Sequence, residues 1–504
     1  MSTGTFTSTD PTDPTDPTNT TDSPEPAHPA ADASFLATPR GRLTLVLLCA
    51  VAFLDFVDAS IVNIALPSIQ RDLGLSNQGL QWVPSGYLIT YGGLMLLGGR
   101  AADLIGRRRV LIAGTVVFAV ASLIGGLAQS SAVLIGARLA QGVGASMMLP
   151  AALSILTTSF GAGPDRNKAL AAWAGTGAFA SAVGVFLGGV LTEGPGWRWV
   201  MFVNLPVCAL VLPAIPRLLP DDRHRVSTRG FDFLGTVLAT GGLVLLVHGL
   251  VQAPDQGWGS SRTIVELGVA GGLLLAFVAN EAVGRNPLMP LAIFRVKGLA
   301  AANVTQLVAM SGFIGMFFFL TLYTQEVLGY SEIKAGSAFL PVTVGVGIAA
   351  GLAQPLLARV GTRPLIVVGA LIASLGIGLL SRIPVHGSYL TDLLPGLVVM
   401  SFGLGFVFVG VATAANAGVP ADQAGLAAAL MNTAQQLGGA FGLAILSAVA
   451  TSETGRRLAG GDAAADAYTE GFRKALLVGA FLLAGAAAVA LFVANTRGEE
   501  ARRP

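Results

Sequence analysis

The stretch LTLVLLCAVAFLDFVDASIVNIAL, residues 43–66, is almost wholly apolar yet carries Asp55 and Asp58 near its middle. An α-helix rises about 1.5 Å per residue and the hydrocarbon of a bilayer is about 30 Å thick, so a run of this length reads as a membrane-spanning helix. An aspartate at the centre of such a helix costs about 2.5 to 3.5 kcal/mol on insertion scales, and two at i, i+3 share one helix face. They require a polar interior. Acids in this setting point first to proton or cation handling, with a structural pair bonded to neighbouring helices as the alternative.

Composition extends that reading to the whole chain. Of the 504 residues 53% are hydrophobic and only 12% charged, and the mean hydropathy is +0.70, which excludes a water-soluble globular protein. Apolar segments recur to the end, and fourteen can be placed: 43–66, 82–102, 109–129, 132–159, 168–192, 200–219, 231–252, 263–283, 299–322, 335–358, 364–382, 390–413, 423–450 and 474–495. With the amino terminus inside, twenty of the thirty Lys and Arg residues fall in cytoplasmic segments, nine on the opposite side, and Arg138 within a span. Lysine and arginine are retained on the cytoplasmic side, so both termini are expected there. Residues 1–39 repeat Asp-Pro-Thr from Asp10 to Thr18 amid further Thr, Ser and Pro, a polar low-complexity tail expected to be disordered. It has no apolar core of a signal peptide, so the first span is expected to act as its own insertion signal.

The chain also repeats itself. The segment from Ala101 to Leu111, with Gly106-Arg107-Arg108-Arg109 at its centre, returns in weaker form from Leu356 to Ile366, an offset of 255 residues that carries the first span onto the ninth. Parallel repeats of this kind build a large group of secondary transporters. The expected architecture is an all-α integral membrane protein of fourteen transmembrane helices. Residues 40–219 and 299–495 would form two six-helix bundles, with two inserted helices and their linkers at 220–298 and a cytoplasmic tail at 496–504.

Several motifs now carry a family resemblance. The stretch from Gly99 through Asp103 and Gly106 to Arg107, Arg108 and Arg109 resembles the loop signature of the major facilitator superfamily between its second and third helices. Asp58-Ala59-Ser60-Ile61-Val62-Asn63-Ile64-Ala65-Leu66-Pro67 is similar to the first-helix motif of its fourteen-span drug:proton antiporters. Arg138-Leu139-Ala140-Gln141-Gly142-Val143-Gly144-Ala145 resembles their fourth-helix motif, and Trp197-Arg198-Trp199 with Phe202-Val203-Asn204-Leu205-Pro206 completes the pattern. One departure stands in the fifth helix. Gly184-Val185-Phe186-Leu187-Gly188-Gly189 keeps the glycines of the antiporter motif but has valine where the family has proline, which removes the expected kink and weakens the inference of export over import. Glycines there allow close approach of a neighbouring helix.

The resemblance implies roles for the charged residues. Arg138, several residues into the fourth span, needs a carboxylate partner and is expected to face the first helix. Its charge would favour the ionised form of Asp58 or Asp55 while burial disfavours it. Asp58 occupies the family position; Asp55 is its partner or a substrate contact, and which of the two titrates stays open. The carboxylate would load a proton from outside and release it inward as the halves rock, with cargo and proton competing. At the cytoplasmic end, positive-inside anchoring accounts for Arg107 and Arg108 but not for an acid flanked by Gly99 and Gly106. Asp103 is therefore expected to latch neighbouring helices in one conformation.

Other classes find no support. His28, His224, His248 and His386 are scattered, Cys49 and Cys208 lie in apolar stretches, and no phosphate-binding loop is present, which disfavours an enzyme, a metal centre and an ATP-driven pump. The basic residues form short loop clusters rather than a nucleic-acid surface. His248 reads as a bonded helix residue. Met147, Met148, Met310, Met316 and Phe313, Phe317, Phe318 and Phe319 suit an adaptable apolar interior, though each alone reads better as helix packing. The expected function is proton-driven export of a small amphipathic or cationic drug, by a monomer in the bacterial plasma membrane, with membrane lipid and protons as partners and no cofactor. A proton-coupled carrier of an endogenous metabolite or lipid is the alternative.

Overall fold

The computed structural model describes residues 35–160, 164–220, 232–284, 287, 291–419 and 423–497. Most of the expected disordered tail lies outside the described residues, as do Arg223, Arg225, Arg229, Arg285, Arg502 and Arg503 of the charge count. Among the described residues the regular elements are all helices. They run α1 (Pro39–Leu73), α2 (Asn77–Ile105), α3 (Arg107–Gly126), α4 (Ser131–Ser159), α5 (Pro164–Glu193), α6 (Trp199–Phe202), α7 (Asn204–Leu218), α8 (Phe233–Gln256) and α9 (Ser261–Val283). The second part holds α10 (Leu299–Leu322), α11 (Glu332–Ala338), α12 (Leu340–Val360), α13 (Thr362–Leu380), α14 (Leu394–Asn416), α15 (Ala424–Ala459) and α16 (Ala464–Ala490).

Among the described residues, thirteen helical stretches are long and apolar enough to cross a membrane. The expected second span, α2, is not among them although it is 29 residues long. Ser85, Tyr87, Thr90 and Tyr91 dilute its apolar content, and two of them have work in the interior described below. Other differences are local. The expected span at 200–219 divides at Val203 into α6 and α7, and the one at 335–358 divides at Phe339, two residues before Pro341, into α11 and α12. A wider π turn at Tyr323–Val327 prolongs α10, and another at Tyr389–Leu393 leads into α14.

Local chemistry sets the helix ends. Thr38, Ser76, Ser130, Asp232, Ser260 and Ser331 each accept a hydrogen bond from a backbone N–H in the first turn of the helix that follows. Gly106 (φ 111°) and Gly361 (φ 87°), which occupy the same place in the repeated segment, each turn the chain between two helices in one residue. Side chains with a Cβ rarely adopt that conformation.

Glycines also set how closely the helices cross. A Cβ on Gly142 of α4 would overlap the Thr90 hydroxyl of α2 and lie 2.5 Å from the Tyr87 carbonyl, and one on Gly98 of α2 would overlap the Ser146 carbonyl of α4. Within the first part α1 packs on α4, α5 and α7, and α4 on α2 and α3; within the second, α10 packs on α15 and α16, and α14 on α12 and α13. Three seams join the parts, α2 against α15, α5 against α11 and α12, and α1 against α10 and α11, while α8 and α9 pack on each other with α8 also touching α2 and α15. At the end where α1 and α5 finish, Ser68 Oγ donates to Glu332 Oε1 at 2.8 Å, Arg71 Nη2 to the same oxygen at 3.3 Å, and Gln325 Nε2 to the Ile64 carbonyl at 2.9 Å.

The basic residues that run against the topology bias near the end of α15 are ion-paired. Glu453 takes Arg456 at 2.6 Å, Lys474 at 2.8 Å and Arg457 at 3.3 Å, and Arg473 pairs with Glu470 at 2.9 Å. The glycine crossing gives a direct check. Gly142→Ala is expected to lower the unfolding midpoint of the detergent-purified protein, at an overpacking cost of about 1 to 3 kcal/mol. Gly136→Ala, on the same helix with open space around the added atom, is expected to leave it unchanged or raise it.

Candidate functional site

Asp58 sits in α1 with none of its surface exposed, and Arg138 in α4 is 1% exposed. Arg138 Nη1 donates to Asp58 Oδ2 at 2.5 Å and to Gln141 Oε1 at 2.9 Å, and its Nε donates to the Val83 carbonyl at 3.1 Å. The second carboxylate oxygen, Oδ1, accepts from Asn204 Nδ2 of α7 at 2.7 Å and from Gln141 Nε2 at 3.1 Å. Gln141 also donates to Ser122 Oγ of α3 at 2.8 Å. A buried ion pair persists when its remaining donors and acceptors are also met, and here helices α1, α2, α3, α4 and α7 all supply them.

Asp55, one turn earlier, has partners of another kind. Tyr87 donates to its Oδ1 at 2.6 Å and Tyr91 to its Oδ2 at 3.0 Å. The Tyr87 ring lies under the Arg138 guanidinium, 4.4 Å from centroid to carbon, so this tyrosine couples the two acids by a hydrogen bond on one side and a cation–π contact on the other. Tyr91 also meets the side chain of Gln436 on α15, which links the Asp55 branch to the second part of the chain. Chemically, the arrangement can hold one ionised carboxylate against a cation and a second carboxylate among neutral donors. Moving the Arg138 side chain would disturb both.

The three candidate glycines of α5 do two different things. A Cβ on Gly188 would lie 2.7 Å from the Ile61 carbonyl of α1 and one on Gly184 2.9 Å from the Val57 carbonyl, so they seat α5 on the turns flanking Asp58. Gly189 faces α11, where an added Cβ would lie 2.6 Å from the Glu332 carbonyl. Val185 keeps α5 free of an internal proline, and its carbonyl lies 2.6 Å from where a Cβ on Gly336 of α11 would be. At the other end, Arg107 donates to Thr158 Oγ1 at 3.0 Å and Arg108 to the Leu219 carbonyl at 3.3 Å, while Gly99 lies against Pro150. The side chain of Asp103 lies outside the described residues.

Sequence reasoning found Asp58, Asp55 and Arg138 but assigned no role to Gln141, Asn204, Ser122, Tyr87 or Tyr91. The signals were present: Gln141 is i+3 from Arg138, and Tyr87 and Tyr91 are i, i+4 in the least apolar span. Trp197 and Arg198 also gain a role, donating to Asp72 at the end of α1 at 2.9 and 2.7 Å. His248 meets Glu266 of α9 at 3.1 Å, as a bonded helix residue should. Phe313 meets Phe408 of α14 at 6.1 Å, Phe317 meets Phe339 at 5.0 Å and Phe319 meets Phe472 of α16 at 5.7 Å, so these aromatics serve helix packing.

Residues 48–443 match the family model described as Major Facilitator Superfamily. The chain belongs to the Major Facilitator Superfamily. Its relatives include the cephamycin export protein of Amycolatopsis lactamdurans, 43% identical over 422 residues, with 83% of this chain and 86% of that one covered. The puromycin resistance protein of Streptomyces alboniger is 41% identical over 425 residues, with 84% of each chain covered. The lincomycin resistance protein of Streptomyces lincolnensis is 34% identical over 421 residues, covering 82% and 86%. Among solved structures, a POT family transporter reaches a TM-score of 0.63 at 16% identity over 89% of this chain and 98% of its own. A bacterial homologue of the human lysosomal transporter Spinster, inward-facing and occupied, reaches 0.62 at 18% identity over 90% and 97%. These facilitators share the fold, and the chain is a multi-pass membrane protein.

Removing one partner from a buried ion pair costs about 3 to 5 kcal/mol, because the other charge is stranded. Arg138→Gln is therefore expected to lower the unfolding midpoint in detergent more than Arg138→Gln combined with Asp58→Asn. A double variant at least as unstable as the single one would show that the pair is not what strands the charge.

Proposed function

We propose that this facilitator is a proton-driven exporter of small amphipathic or cationic antibiotics across the bacterial plasma membrane, working as a monomer with the proton gradient as its only energy source. One observation carries the reading: a carboxylate with no exposed surface, Asp58, held by a cation and two amide donors from α4 and α7. Protonating Asp58 removes the charge that holds Arg138 and turns one carboxylate oxygen from acceptor into donor. A proton on Oδ2 displaces Arg138 and leaves Oδ1 accepting from the amides, whereas a proton on Oδ1 crowds out the Gln141 or Asn204 donor. A local change of this kind biases a two-state element, here the packing of α1 against α4 and α7.

Fourteen spans follow if α2 is the fourteenth, α6 with α7 forms one span, and α11 with α12 another. Two six-helix halves, α1–α7 and α10–α16, then flank α8 and α9. The helix pairings support this division: α1 on α5 parallels α10 on α15, α3 on α4 parallels α13 on α14, and the seam of α2 with α15 mirrors that of α5 with α12. With both termini cytoplasmic, the end at which α1 and α5 finish is the outer one. Glu332, Gln325 and the Gly189 crossing then seal the outside, and alternating access requires that seal to break and re-form. Antibiotic export and resistance named for the relatives support the choice of cargo.

Two outcomes test the proposal. Asp58→Asn is expected to abolish export driven by a proton gradient in everted vesicles while expression is retained; export unchanged in those vesicles would remove Asp58 from the mechanism. Asp103→Asn is expected to slow turnover more than it weakens cargo binding, and equal losses in both would argue against a gating role for that loop.

A further inference from the structure

Several buried polar side chains away from the Asp58 centre have atoms without a hydrogen-bond partner among the described residues, and three of them stand on the faces of α2 and α10 that meet Gly439 of α15. Gln81 lacks a partner at both amide atoms and Ser85 at its hydroxyl, both on α2, and Thr321 lacks one at its hydroxyl on α10. All three are at most 1% exposed.

Their position follows from a fixed point. Leu88 of α2 and Ile314 of α10 both lie against Gly439 of α15, 3.2 and 3.0 Å from where its Cβ would be. Gln81 stands two helical turns before Leu88 on the same face, with Ser85 between them, and Thr321 stands two turns after Ile314 on the corresponding face of α10. Along α15, Leu307, Ser311 and Gly315 of α10 meet Gly438, Gly442 and Leu446 in ascending order, whereas Gly92 and Leu88 of α2 meet Gln436 and Gly439 in descending order. The two helices therefore run in opposite directions. Both displacements go the same way, about 10 Å along the axis, toward the end sealed by Gln325 on the Ile64 carbonyl and Ser68 on Glu332.

Buried polar atoms without protein partners raise the free energy of the sealed conformation. Leucine, alanine and valine would fill the same space without that cost. The polarity therefore belongs to the conformation in which the seam is open.

We propose that Gln81, Ser85 and Thr321 form a polar strip on the wall of the exit path. In the conformation open at the α1–α5 end they hydrogen-bond the neutral hydroxyl, amide and carbonyl groups of the departing amphipathic cargo. The strip carries no charge, so it discriminates by hydrogen bonding while Asp58 and Asp55 discriminate by charge. Its unmet bonds also bias the sealed state toward opening. The inference rests on the proposed function: cytoplasmic termini make that end the outer one, and export makes it the exit.

Two experiments test it. Gln81→Cys, in a chain with Cys49→Ala and Cys208→Ala, is expected to be labelled by a membrane-impermeant maleimide added outside intact cells; labelling no greater than in the cysteine-free chain overturns the proposal. Gln81→Leu combined with Thr321→Val is expected to raise the unfolding midpoint in detergent and to lower the export rate at saturating cargo about five-fold. An unchanged rate, or a slower rate with a lowered midpoint, overturns it. The labelling needs no cargo. A chain that is labelled from outside yet exports no antibiotic would sink the export reading while supporting an outward-opening strip.

Discussion

The pairing of Asp58 with Arg138 is the constraint to which the first half of the molecule is built. Two opposite charges 2.5 Å apart with almost no exposed surface attract strongly, but taking both out of water opposes that gain, so the pair holds only while the other lone pairs and protons are also met. Meeting them takes Gln141, Asn204 and Ser122 from three helices, and those side chains are short. The helices must therefore be close, and the glycines permit it. Gly142 lets α4 lie on α2, and Gly184 and Gly188 let α5 lie on α1 beside Asp58. Packing and electrostatics are one problem here: a side chain larger than hydrogen at those positions would move the donors away from the carboxylate.

The second half is built differently. Where α10 packs on α15 its interior polar contacts include uncharged ones, such as Gln306 donating to Gln435 at 3.2 Å and Ser311 to the Gly438 carbonyl at 2.9 Å. Its bulk is aromatic: Phe313 packs with Phe317 and Phe408, and Phe317 in turn with Phe339. Under the proposed mechanism the division is functional. The first half carries the group that responds to protons, and the second offers an apolar wall that places few demands on cargo shape. Tyr91, bonded to Asp55 and meeting Gln436, is the point at which a change in one half is felt directly by the other.

Much of this was legible in the chain because membrane helices are dictated by length and polarity, and a charge in such a helix is rare enough to stand out. That Arg138 needs a carboxylate could be read from its depth in the span, but only the family resemblance aimed it at the first helix, and the choice between Asp55 and Asp58 needed the geometry. The neutral partners were harder to read. Gln141, Asn204 and Ser122 are residue types common in membrane helices for local reasons, including bonds to the helix's own carbonyls like those Ser60 and Thr115 make here. Only their convergence on one carboxylate distinguishes them, and convergence is a property of three dimensions. The span at 82–102 was read correctly as α2, and its apolar content is low partly because Tyr87 and Tyr91 face Asp55 rather than lipid. The break at Val203 escaped notice because hydropathy measures whether a segment can cross a membrane and not whether it does so in one piece.

The choice of arginine at position 138 follows from the directions in which its partners lie. Nη1 serves Asp58 and Gln141, Nε serves the Val83 carbonyl, and the flat face covers the Tyr87 ring. An ammonium group offers protons from a single point and has no flat face, so a lysine could meet one or two of these demands but not all four together. The planar group does more than hold Asp58. Because the same ion touches Tyr87, and Tyr87 donates to Asp55, any motion that frees Arg138 from Asp58 also changes the surroundings of the second acid. Coupling between two carboxylates one helical turn apart therefore needs no through-space argument. It runs through one guanidinium and one phenol, both fixed by helices α2 and α4 at a crossing that Gly142 keeps close.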